Sequence, residues 1–320
     1  MYTAKAVIGG KEYTDSVTRT PESVDEARDR YGLMLSDSID MRIDMDITAH
    51  VGTSFTDRAR IVFTYPDPDS EQHKTKSETV ALKNAKLNNG VFTKVITGSF
   101  AQMGDSVTVK IYDNSGNLVV FANGETKKQM SAAQYCNRII SNATSYDDKT
   151  VALAQAALDY GKAAKEHFCY GDEEIKGAKE AVIPQQGELT DTTQFKAGTY
   201  IKSLGETTFR AISQTELRFY TPSIAGGLKV MSAKMAASGE DLAPYCSIVK
   251  SGSGYCIRVT SLYATDLSDR ITLVISDGTT ITSGVGAYAA QVINSQSSNS
   301  EKLLAAALYR YAQAAKAYAA

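Results

Sequence analysis

An internal duplication constrains the fold of this chain more than any other feature of its sequence. Each copy of a repeat is a unit of folding, so two similar structural units are predicted. In the last matched block, Tyr160 falls on Tyr311. The matched blocks, in the same order in both halves, are 38–43 with 215–220, 90–113 with 254–277, and 157–168 with 308–319.

Length and composition favour two globular units. With 320 residues, of which 43% are hydrophobic, each half is long enough to bury a core of its own. Strand patterns precede helical patterns in both copies, which predicts an α+β protein of two tandem, β-rich, sandwich-like domains. Each domain is expected to end in an antiparallel helical hairpin. The predicted boundaries are 1–172 for the first unit, 173–197 for a linker and 198–320 for the second, divergent unit.

Charge and hydropathy disfavour two kinds of partner. A net charge of -2 and a pI near 6.0 provide no electrostatic footprint for nucleic acid. No apolar run approaches the roughly 20 residues that a membrane helix needs, so no membrane insertion is expected. The start, MYTAKAVIGG, lacks the apolar centre of a signal peptide and opens directly on strand-like sequence. We therefore expect a fragment of a longer protein, monomeric within that chain.

The cysteines do not show whether the protein belongs to an oxidising or a reducing compartment. Cys136, Cys169, Cys246 and Cys256 form no CxxC pair, and no histidine lies at the spacing of a zinc site, so no structural metal is predicted. Cys246 and Cys256 flank KSGSG and could form a disulfide across a hairpin if the strand register brings them face to face. The favoured alternative is four buried free thiols, so cysteine use does not settle the redox compartment.

The first part of each unit has the pattern of strands. Residues 39–47 alternate between apolar and charged side chains, which is typical of a half-buried strand. Gly9 and Gly10 separate two short strand patterns and suit a tight hairpin. A short helix or turn is expected at 21–32 and a polar loop before Ser77. Further strands are predicted at 58–66, 77–87, 91–96, 106–113 and 118–122.

The second part of each unit has helical periodicity. Ser131 suits the N-cap of a helix over 131–141, and Asp147 and Asp148 suit the start of a second helix. Small and apolar residues form a stripe on this second helix and on its copy, which predicts close packing on a neighbour. The stripe residues are Val151, Ala154, Leu158, Gly161 and Phe168, and in the second copy Leu304, Ala307, Leu308, Tyr311, Ala315 and Tyr318. The polar segment 171–198 lacks strong periodicity and is expected to be a linker or a wrapped connecting segment.

These blocks resemble repeats that occur in pairs in the tails of large secreted or cell-wall-attached surface proteins of gut Firmicutes. The matching segments are the turn Met103–Thr108, the dipeptide of Tyr135 and Cys136, and the helix ALDYGKAAK at 157–165. The second copy, with TTFRAISQTELRFY and LLAAALYRYAQAAKAYA, resembles the second member of such pairs. The resemblance covers roughly residues 31–320. It implies a secreted or cell-surface setting, and no catalytic motif defines the family.

Acidic clusters offer weak candidates for a metal site. Asp67, Asp69 and Glu71 could offer oxygen ligands to calcium, but their spacing fits no EF-hand loop. Surface acidity is the favoured interpretation. Asp113, at the start of DNSGN, is better explained by a hairpin turn, because its copy at 277–278 retains only turn chemistry.

His167 and Cys169 lie two residues apart at the end of a predicted helix. A catalytic pair needs converging side chains and usually a third, orienting group. The second copy has Tyr318 and Ala320 at the equivalent positions. A chance spacing is therefore the favoured interpretation.

Asp105 and Asp269 occupy matched positions, each after a polar turn and directly before a strand. A carboxylate there can accept backbone N–H bonds, so a turn-forming role is predicted. His50 and His73 have no partner visible in the sequence. No nucleophile elbow, phosphate-binding glycine loop or paired-carboxylate pattern occurs. We therefore expect a protein that is not an enzyme, with no catalytic, metal-ligating or cofactor-binding residue and no cofactor.

Tyrosine is the residue type that favours a binding function. The chain has 18 tyrosines and no tryptophan, and tyrosine combines contact area with a polar tip at interfaces. Because Tyr160, Tyr311 and Tyr318 lie on packing stripes, most tyrosines are expected in the core, and no ligand-binding residue is located.

Two classes of function remain open. The first is a non-catalytic extracellular module that binds a host protein, such as an immunoglobulin, mucin or other mucosal glycoprotein, or a glycan, or that mediates adhesion. The second is a structural spacer that presents other domains and has no ligand of its own. Divergence between the copies favours a single binding face, with edge strands and loops as the expected contacts.

Overall fold

The structure of the protein is a computed structural model, and its described residues include four α-helices. These are α1 (Ala132–Ser141), α2 (Asp148–His167), α3 (Val285–Asn294) and α4 (Asn299–Ala319). The described residues are 2–8, 11–17, 33–35, 42–50, 59–67, 74–85, 91–120, 124–171, 174–185, 188–189, 200–202, 217–221, 227, 229–251, 254–260, 262, 264–276, 278 and 280–320, those up to residue 50 by backbone alone.

The described strands form five antiparallel sheets. The strands are β1 (Tyr2–Ile8), β2 (Lys11–Val17), β3 (Leu33–Leu35), β4 (Arg42–His50), β5 (Arg60–Pro66), β6 (Thr75–Ala81), β7 (Val91–Ser99), β8 (Val107–Tyr112), β9 (Lys128–Met130), β10 (Tyr200–Lys202), β11 (Leu217–Thr221), β12 (Val230–Met235), β13 (Cys246–Ser251), β14 (Gly254–Val259), β15 (Ile271–Ile275) and β16 (Thr280–Ser283). Antiparallel sheets followed by helices make the protein α+β, as predicted.

Two sheets of the first copy share an apolar layer. Their strand orders are β3-β4-β7 and β6-β5-β8-β9. Along β5 buried and half-buried residues alternate, because Ile61, Phe63 and Tyr65 point to the core and their neighbours point away. Phe63 meets Phe92 of the other sheet with ring centroids 6.0 Å apart. The two sheets therefore contact each other through side chains that period-two alternation places inward.

The second copy repeats this pairing with one change. Its sheets have the orders β10-β11-β14-β13 and β12-β15-β16. β11 pairs with β14 as β4 pairs with β7, and β12 pairs with β15 as β5 pairs with β8. The next strand differs, because β6 pairs with β5 whereas β13 pairs with β14. The duplication thus keeps the shared strand order and moves one edge strand to the opposite sheet.

The N-terminal predictions are confirmed only where the structure describes them. β1 and β2 pair antiparallel with Ile8 opposite Lys11, which confirms the predicted hairpin. The strand predicted at 39–47 is confirmed from Arg42, where β4 begins. The helix or turn predicted at 21–32 lies outside the described residues.

The strand predicted at 118–122 is wrong for the described part of that segment. Leu118 forms only an isolated bridge with Tyr112, and β8 pairs instead with β9. Val120 is 63% exposed, while Val119 is partly buried against the core. The apolar run was misleading because β-propensity produces a strand only where packing and strand neighbours support it.

Capping residues fix the starts of α1 and α2. Ser131 Oγ accepts the N–H of Gln134, and the Ser131 N–H donates to Gln134 Oε1, which is a capping box. Asp147 accepts the N–H and the hydroxyl of Thr150 at 2.8 and 2.9 Å. Both helix starts predicted from the sequence are confirmed.

The long helices of the two copies, α2 and α4, pack on each other. The matched residues Tyr160 and Tyr311 stack with ring centroids 5.7 Å apart. Phe100 contacts both rings, at 4.7 and 5.0 Å between centroids. Such aromatic pairs contribute about 0.5–1.5 kcal/mol beyond their buried area. As a result, the buried residues of the two copies form one continuous hydrophobic core.

The connecting segment is wrapped against α1 and α2 at residues 174–185, named the strap below. Its residue Ile175 is buried, and Lys162 of α2 pairs with Glu180 at 2.6 Å. Side chains of both helices also bind its main chain, which fixes its register. These bonds run from Asn137 Nδ2 to the carbonyl of Lys176 at 2.7 Å, from Gln155 Nε2 to the carbonyl of Gly177 at 3.1 Å, and from the N–H of Lys179 to Asp159 Oδ1 at 2.7 Å. The sequence left open whether 171–198 is a linker or a wrapped connecting segment. In the strap, the chain is a wrapped segment.

Candidate interaction surface

The residues considered as calcium ligands do not form a site in the described part of the chain. Asp67 pairs with Lys76 at 2.6 Å, whereas Asp69 and Glu71 lie outside the described residues. Across the described residues, no three His, Cys, Asp or Glu side chains group as they would around a metal ion.

Asp113 organises a turn, as predicted. Its carboxylate accepts the N–H groups of Ser115 and Asn117 at 2.9 and 2.8 Å. Hydrogen bonding by the Asn117 backbone is the main reason why the pKa of Asp113 is lowered. The copy, Asp277, lies outside the described residues, and Gly278 after it has a φ of 83°.

His167 and Cys169 have separate surroundings. His167 Nδ1 lies 3.4 Å from Ser300 Oγ, at the start of α4. Cys169 is an exposed free thiol just past the end of α2, so the expectation that all four thiols are buried is wrong. Among the described residues, the two side chains have different hydrogen-bond partners, and a chance spacing stays the favoured interpretation. Of the remaining histidines, His50 is described by backbone alone and His73 lies outside the described residues.

The matched aspartates Asp105 and Asp269 have different partners. Asp269 accepts the N–H groups of Ala237 and Arg270 at 2.9 and 2.7 Å, which confirms its turn-forming role. Asp105 instead accepts the hydroxyl of Tyr170 at 2.5 Å. Burial, followed by this hydrogen bond, raises the pKa of Tyr170. Asp105 therefore anchors the chain where it leaves α2, a role that the sequence did not indicate.

The disulfide considered between Cys246 and Cys256 does not form. Cys246 lies opposite Val259, and Cys256 lies opposite Val249. The two cysteines are therefore out of register by an odd number of residues and point to opposite faces of the sheet. A disulfide requires neighbouring Cβ atoms that point toward each other, so this register excludes it.

The described tyrosines include both buried and exposed side chains. Tyr160 and Tyr311 are buried, as their stripes predicted. Tyr318, predicted on the same stripe, is 39% exposed, so that prediction is wrong. Tyr146 and Tyr245 are 36% and 44% exposed. The exposed rings are the ones that can contact a ligand.

The helix pair explains where Tyr318 lies. α2 and α4 run antiparallel, because His167 at the end of α2 contacts Ser300 at the start of α4 while the matched tyrosines stack between them. The last turn of α4, which carries Tyr318, therefore lies beside the first turn of α2. Tyr146 directly precedes the N-cap of α2, so both exposed tyrosines lie at the same end of the pair.

The loop that carries Tyr146 is exposed and internally bonded. Every residue of 141–149 is exposed. Asn142 Nδ2 donates to the carbonyl of Arg138 at 2.8 Å, and the N–H of Tyr146 donates to the carbonyl of Ala143 at 3.2 Å. The loop therefore presents Tyr146 from a backbone that its own hydrogen bonds fix.

A third tyrosine, Tyr135 of α1, belongs with Tyr146 and Tyr318. It is half-buried, and the Arg138 guanidinium stacks on its ring with Cζ 5.2 Å from the centroid. Burial is the largest cause of the raised pKa of Tyr135, and the nearby phenols of Tyr146 and Tyr318 raise it further. Tyr146 and Tyr318 are thus each within electrostatic reach of Tyr135. We call Tyr135, Tyr146 and Tyr318 the tyrosine surface.

The tyrosine surface combines apolar rings with phenolic hydroxyls that can donate or accept a hydrogen bond. It joins residues from both copies, since Tyr318 belongs to the second copy and the other two to the first. The sequence carried a partial signal for it. Tyr146 stands directly before the predicted cap Asp147, and Tyr318 stands in the final turn of a predicted helix, where packing partners end.

None of the described helices has both the length and the apolarity to cross a membrane. The longest, α2 and α4, have 20 and 21 residues and carry charged side chains along their length.

Comparison with known proteins adds no family to this description. No protein-family model and no curated protein matches the chain.

Proposed function

We propose that the chain is a non-catalytic module of a bacterial surface protein and that it binds a host ligand. The tyrosine surface carries this proposal, because tyrosine is over-represented among the residues that dominate binding energy. Its rings are held on a helix end and an internally bonded loop, which limits the entropy lost on binding. The resemblance to tail repeats of Firmicutes surface proteins supplies the setting, secreted or at the cell surface, within a longer chain.

The strand orders support the predicted sandwich architecture. The second copy has sheets of four and three strands in the order of a constant-type immunoglobulin domain, and the first copy differs by one edge strand. Many cell-surface domains share this architecture and present loops at its ends. We therefore propose two tandem β-sandwich domains, 1–172 and 198–320, each ending in an antiparallel helical hairpin. The fold alone does not identify a ligand.

A structural spacer is the second candidate. The continuous core between α2 and α4 favours it, because packed helices would hold the two copies as a stiff unit between other domains. A spacer of this kind needs no exposed binding residues. The two candidates therefore differ in what substitution of the tyrosine surface does.

Binding to purified host proteins decides between them. The full chain is immobilised and exposed to immunoglobulins and mucins in a surface plasmon resonance experiment, beside a glycan array. We expect saturable binding of at least one host protein, weakened about tenfold by Tyr146→Ala or Tyr318→Ala. Tyr245→Ala, an equally exposed tyrosine elsewhere, is the matched control and should leave binding unchanged. Failure of the wild-type chain to bind any of these ligands would favour the spacer.

A further inference from the structure

We propose that the outer face of the sheet β10-β11-β14-β13 binds a linear sulfated glycan. This site is separate from the tyrosine surface, and it takes only the extracellular setting from the function proposed above. The proposal depends on three basic residues that the strand register brings together, and on the neutral and aromatic residues that share their face of the sheet.

Three basic residues lie directly opposite each other on neighbouring strands. Lys202 of β10 pairs with Arg218 of β11, and Arg218 pairs with Arg258 of β14. Directly opposite residues of antiparallel strands share one face of the sheet, and neighbouring strands lie about 4.7–4.9 Å apart. We call Lys202, Arg218 and Arg258 the basic row. It extends over about 10 Å across the three strands.

The basic row lies on the face of the sheet that points away from the core. The residues that alternate with it on β11 and β14 are all fully buried, namely Leu217, Phe219, Ile257 and Val259. Arg258 is partly exposed, and Ser247, opposite it on β13, is exposed. Cys256 is buried on the same outer face, whereas Val249 opposite it is 40% exposed. A ligand therefore approaches the row from the side of the edge strand β13.

The charge of the outer face has one sign within the four described strands. Apart from the basic row, every residue that these strands place on this face is neutral. Like charges directly opposite each other on neighbouring strands destabilise a sheet. A bound anion would remove this repulsion, and a ligand that binds only the folded protein also stabilises it.

The corresponding sheet of the first copy has a different charge. On β4, Met45 lies opposite the buried Ile96, so Arg42, Asp44 and Asp46 are on the other, outer face. Two acidic residues and one basic residue therefore stand where the second copy has three basic residues and no acidic one. The divergence of the two copies thus assigns an anionic ligand to the second copy alone.

The chemistry of the face selects a sulfated glycan. One anion cannot reach three side chains spread over about 10 Å, so the ligand carries several. Arginine binds oxyanions through the two parallel donors of its planar guanidinium. Tyr200 and Tyr220 form the next row on the same face, and tyrosine suits sugar rings because it offers an apolar ring and a polar tip. The net charge of -2 disfavours nucleic acid as the polyanion.

A fluorescently labelled heparin decasaccharide tests the proposal. It is titrated with the full chain and followed by anisotropy, and we expect saturable binding that weakens with added salt, because exposed charges are screened. Arg218→Ala and Arg258→Ala should each weaken binding about tenfold. Arg218→Lys keeps the charge and loses the planar fork, so it should cause a smaller loss. Lys234→Ala is the matched control, since it removes an exposed cation from β12 of the other sheet and should leave binding unchanged.

Three competitors identify the ligand chemistry. Desulfated heparin of the same length, a polyglutamate peptide and a DNA oligonucleotide should each bind at least about tenfold more weakly than heparin. Equal binding of any competitor, no binding of heparin, or an equal loss in Lys234→Ala overturns the assignment.

Two further controls keep the result unambiguous. Thermal unfolding without ligand shows whether each variant is folded, and Lys202→Ala, at the end of the row, replaces Arg258→Ala if that variant does not fold. Tyr146→Ala and Tyr318→Ala should leave heparin binding unchanged. Failure at the basic row is therefore distinguishable from failure of the binding function proposed for the tyrosine surface.

Discussion

At the scale of the single residue, the backbone is strained at the end of α2. Among the described residues, Cys169 is the non-glycine residue with positive φ, at 51°. The N–H of Tyr170 donates to the carbonyl of Lys165 at 2.9 Å, which closes the helix in a Schellman arrangement and requires the left-handed conformation before Tyr170. A side chain with a Cβ atom costs about 1–2 kcal/mol there.

Replacement of this residue by glycine should therefore stabilise the protein. We expect Cys169→Gly to raise the free energy of unfolding by about 0.5–1 kcal/mol, because relief of the strain exceeds the added entropy of the unfolded chain. Chemical denaturation measures the change. Cys169→Ala is the control, since it removes the thiol, keeps the Cβ atom and should give no such gain. A less stable glycine variant would contradict the strain argument.

A polar contact joins the two sheets of the first copy at its edge. The Tyr65 hydroxyl donates to Glu78 of β6, and Glu78 also pairs with Lys94 of β7 at 2.5 Å. Burial, followed by the bond to Glu78, raises the pKa of Tyr65 from 10.0 to about 12. The protonated phenol is thus the form that the folded state favours.

The raised pKa of Tyr65 predicts that the protein loses stability at alkaline pH. Because the folded pKa is the higher one, the contribution of Tyr65 is complete below about pH 10 and is lost as the pH rises through about 12. Tyr65→Phe should therefore be less stable than the wild type at pH 8, and the difference should shrink between pH 10 and 12. Denaturant unfolding across this range measures both proteins. A difference that does not change with pH would contradict the assignment.

The burial of many individual residues was predictable where apolar residues recur at a regular period along one helix or strand. Leu158 is fully buried on the predicted stripe, and Ile61 and Phe63 are fully buried on alternating positions. Tyr318 was not predictable in the same way. Its exposure depends on where α4 ends relative to α2, which is a property of tertiary packing and leaves no trace in the period of one helix.

At the scale of the element, the strap depends on the close approach of Gly177 to α1. Gly177 has a φ of 81°, and a Cβ atom there would lie 2.1 Å from Asn137 Oδ1. Asn137 holds the strap through the carbonyl of Lys176. A side chain at Gly177 therefore has to displace the group that binds the strap to the helix.

Gly177→Ala should loosen the strap. We expect a loss of stability of more than about 1 kcal/mol from backbone strain and steric overlap together, with faster amide exchange in residues 174–185. Gly116→Ala is the matched control, because Gly116 has a φ of 85° and open space around its Cα, so only the strain applies. Equal losses in the two variants would show that the contact with Asn137 contributes nothing.

The sequence predicted whether most elements are helices or strands, but it did not predict which elements pack or pair with each other. The helix starts at Ser131 and Asp147 were predictable because capping is local. The assignment of β6 and β13 to opposite sheets was not, since both follow equivalent strands and strand partners are chosen by tertiary contacts. For the strap at 174–185 the sequence left a linker and a wrapped segment open, because the strap is held by main-chain bonds and the buried Ile175 and not by a periodic pattern.

At the scale of the whole molecule, the duplication predicts two similar units but not the core that joins them. Tyr160 and Tyr311 are equivalent residues and stack on each other, so a pseudo-twofold relation passes between α2 and α4. Tyr311 of the second copy thereby completes the core of the first copy near Phe100. The expectation that each half buries a core of its own is incomplete for this reason.

Loss of Tyr311 should therefore destabilise the copy to which it does not belong. Tyr311 is fully buried, and we expect Tyr311→Ala to cost about 3–5 kcal/mol, as for other large aromatic truncations. Amide exchange should accelerate in α2 of the first copy as well as in α4, because Tyr160 and Phe100 lose a shared partner. Tyr245→Ala, at an exposed position, should change stability by less than about 0.5 kcal/mol and leave α2 protected. Faster exchange in α4 with α2 unchanged would mean that the two copies unfold independently, and the tyrosine surface would then lose its structural basis, since Tyr318 would no longer be held beside Tyr146.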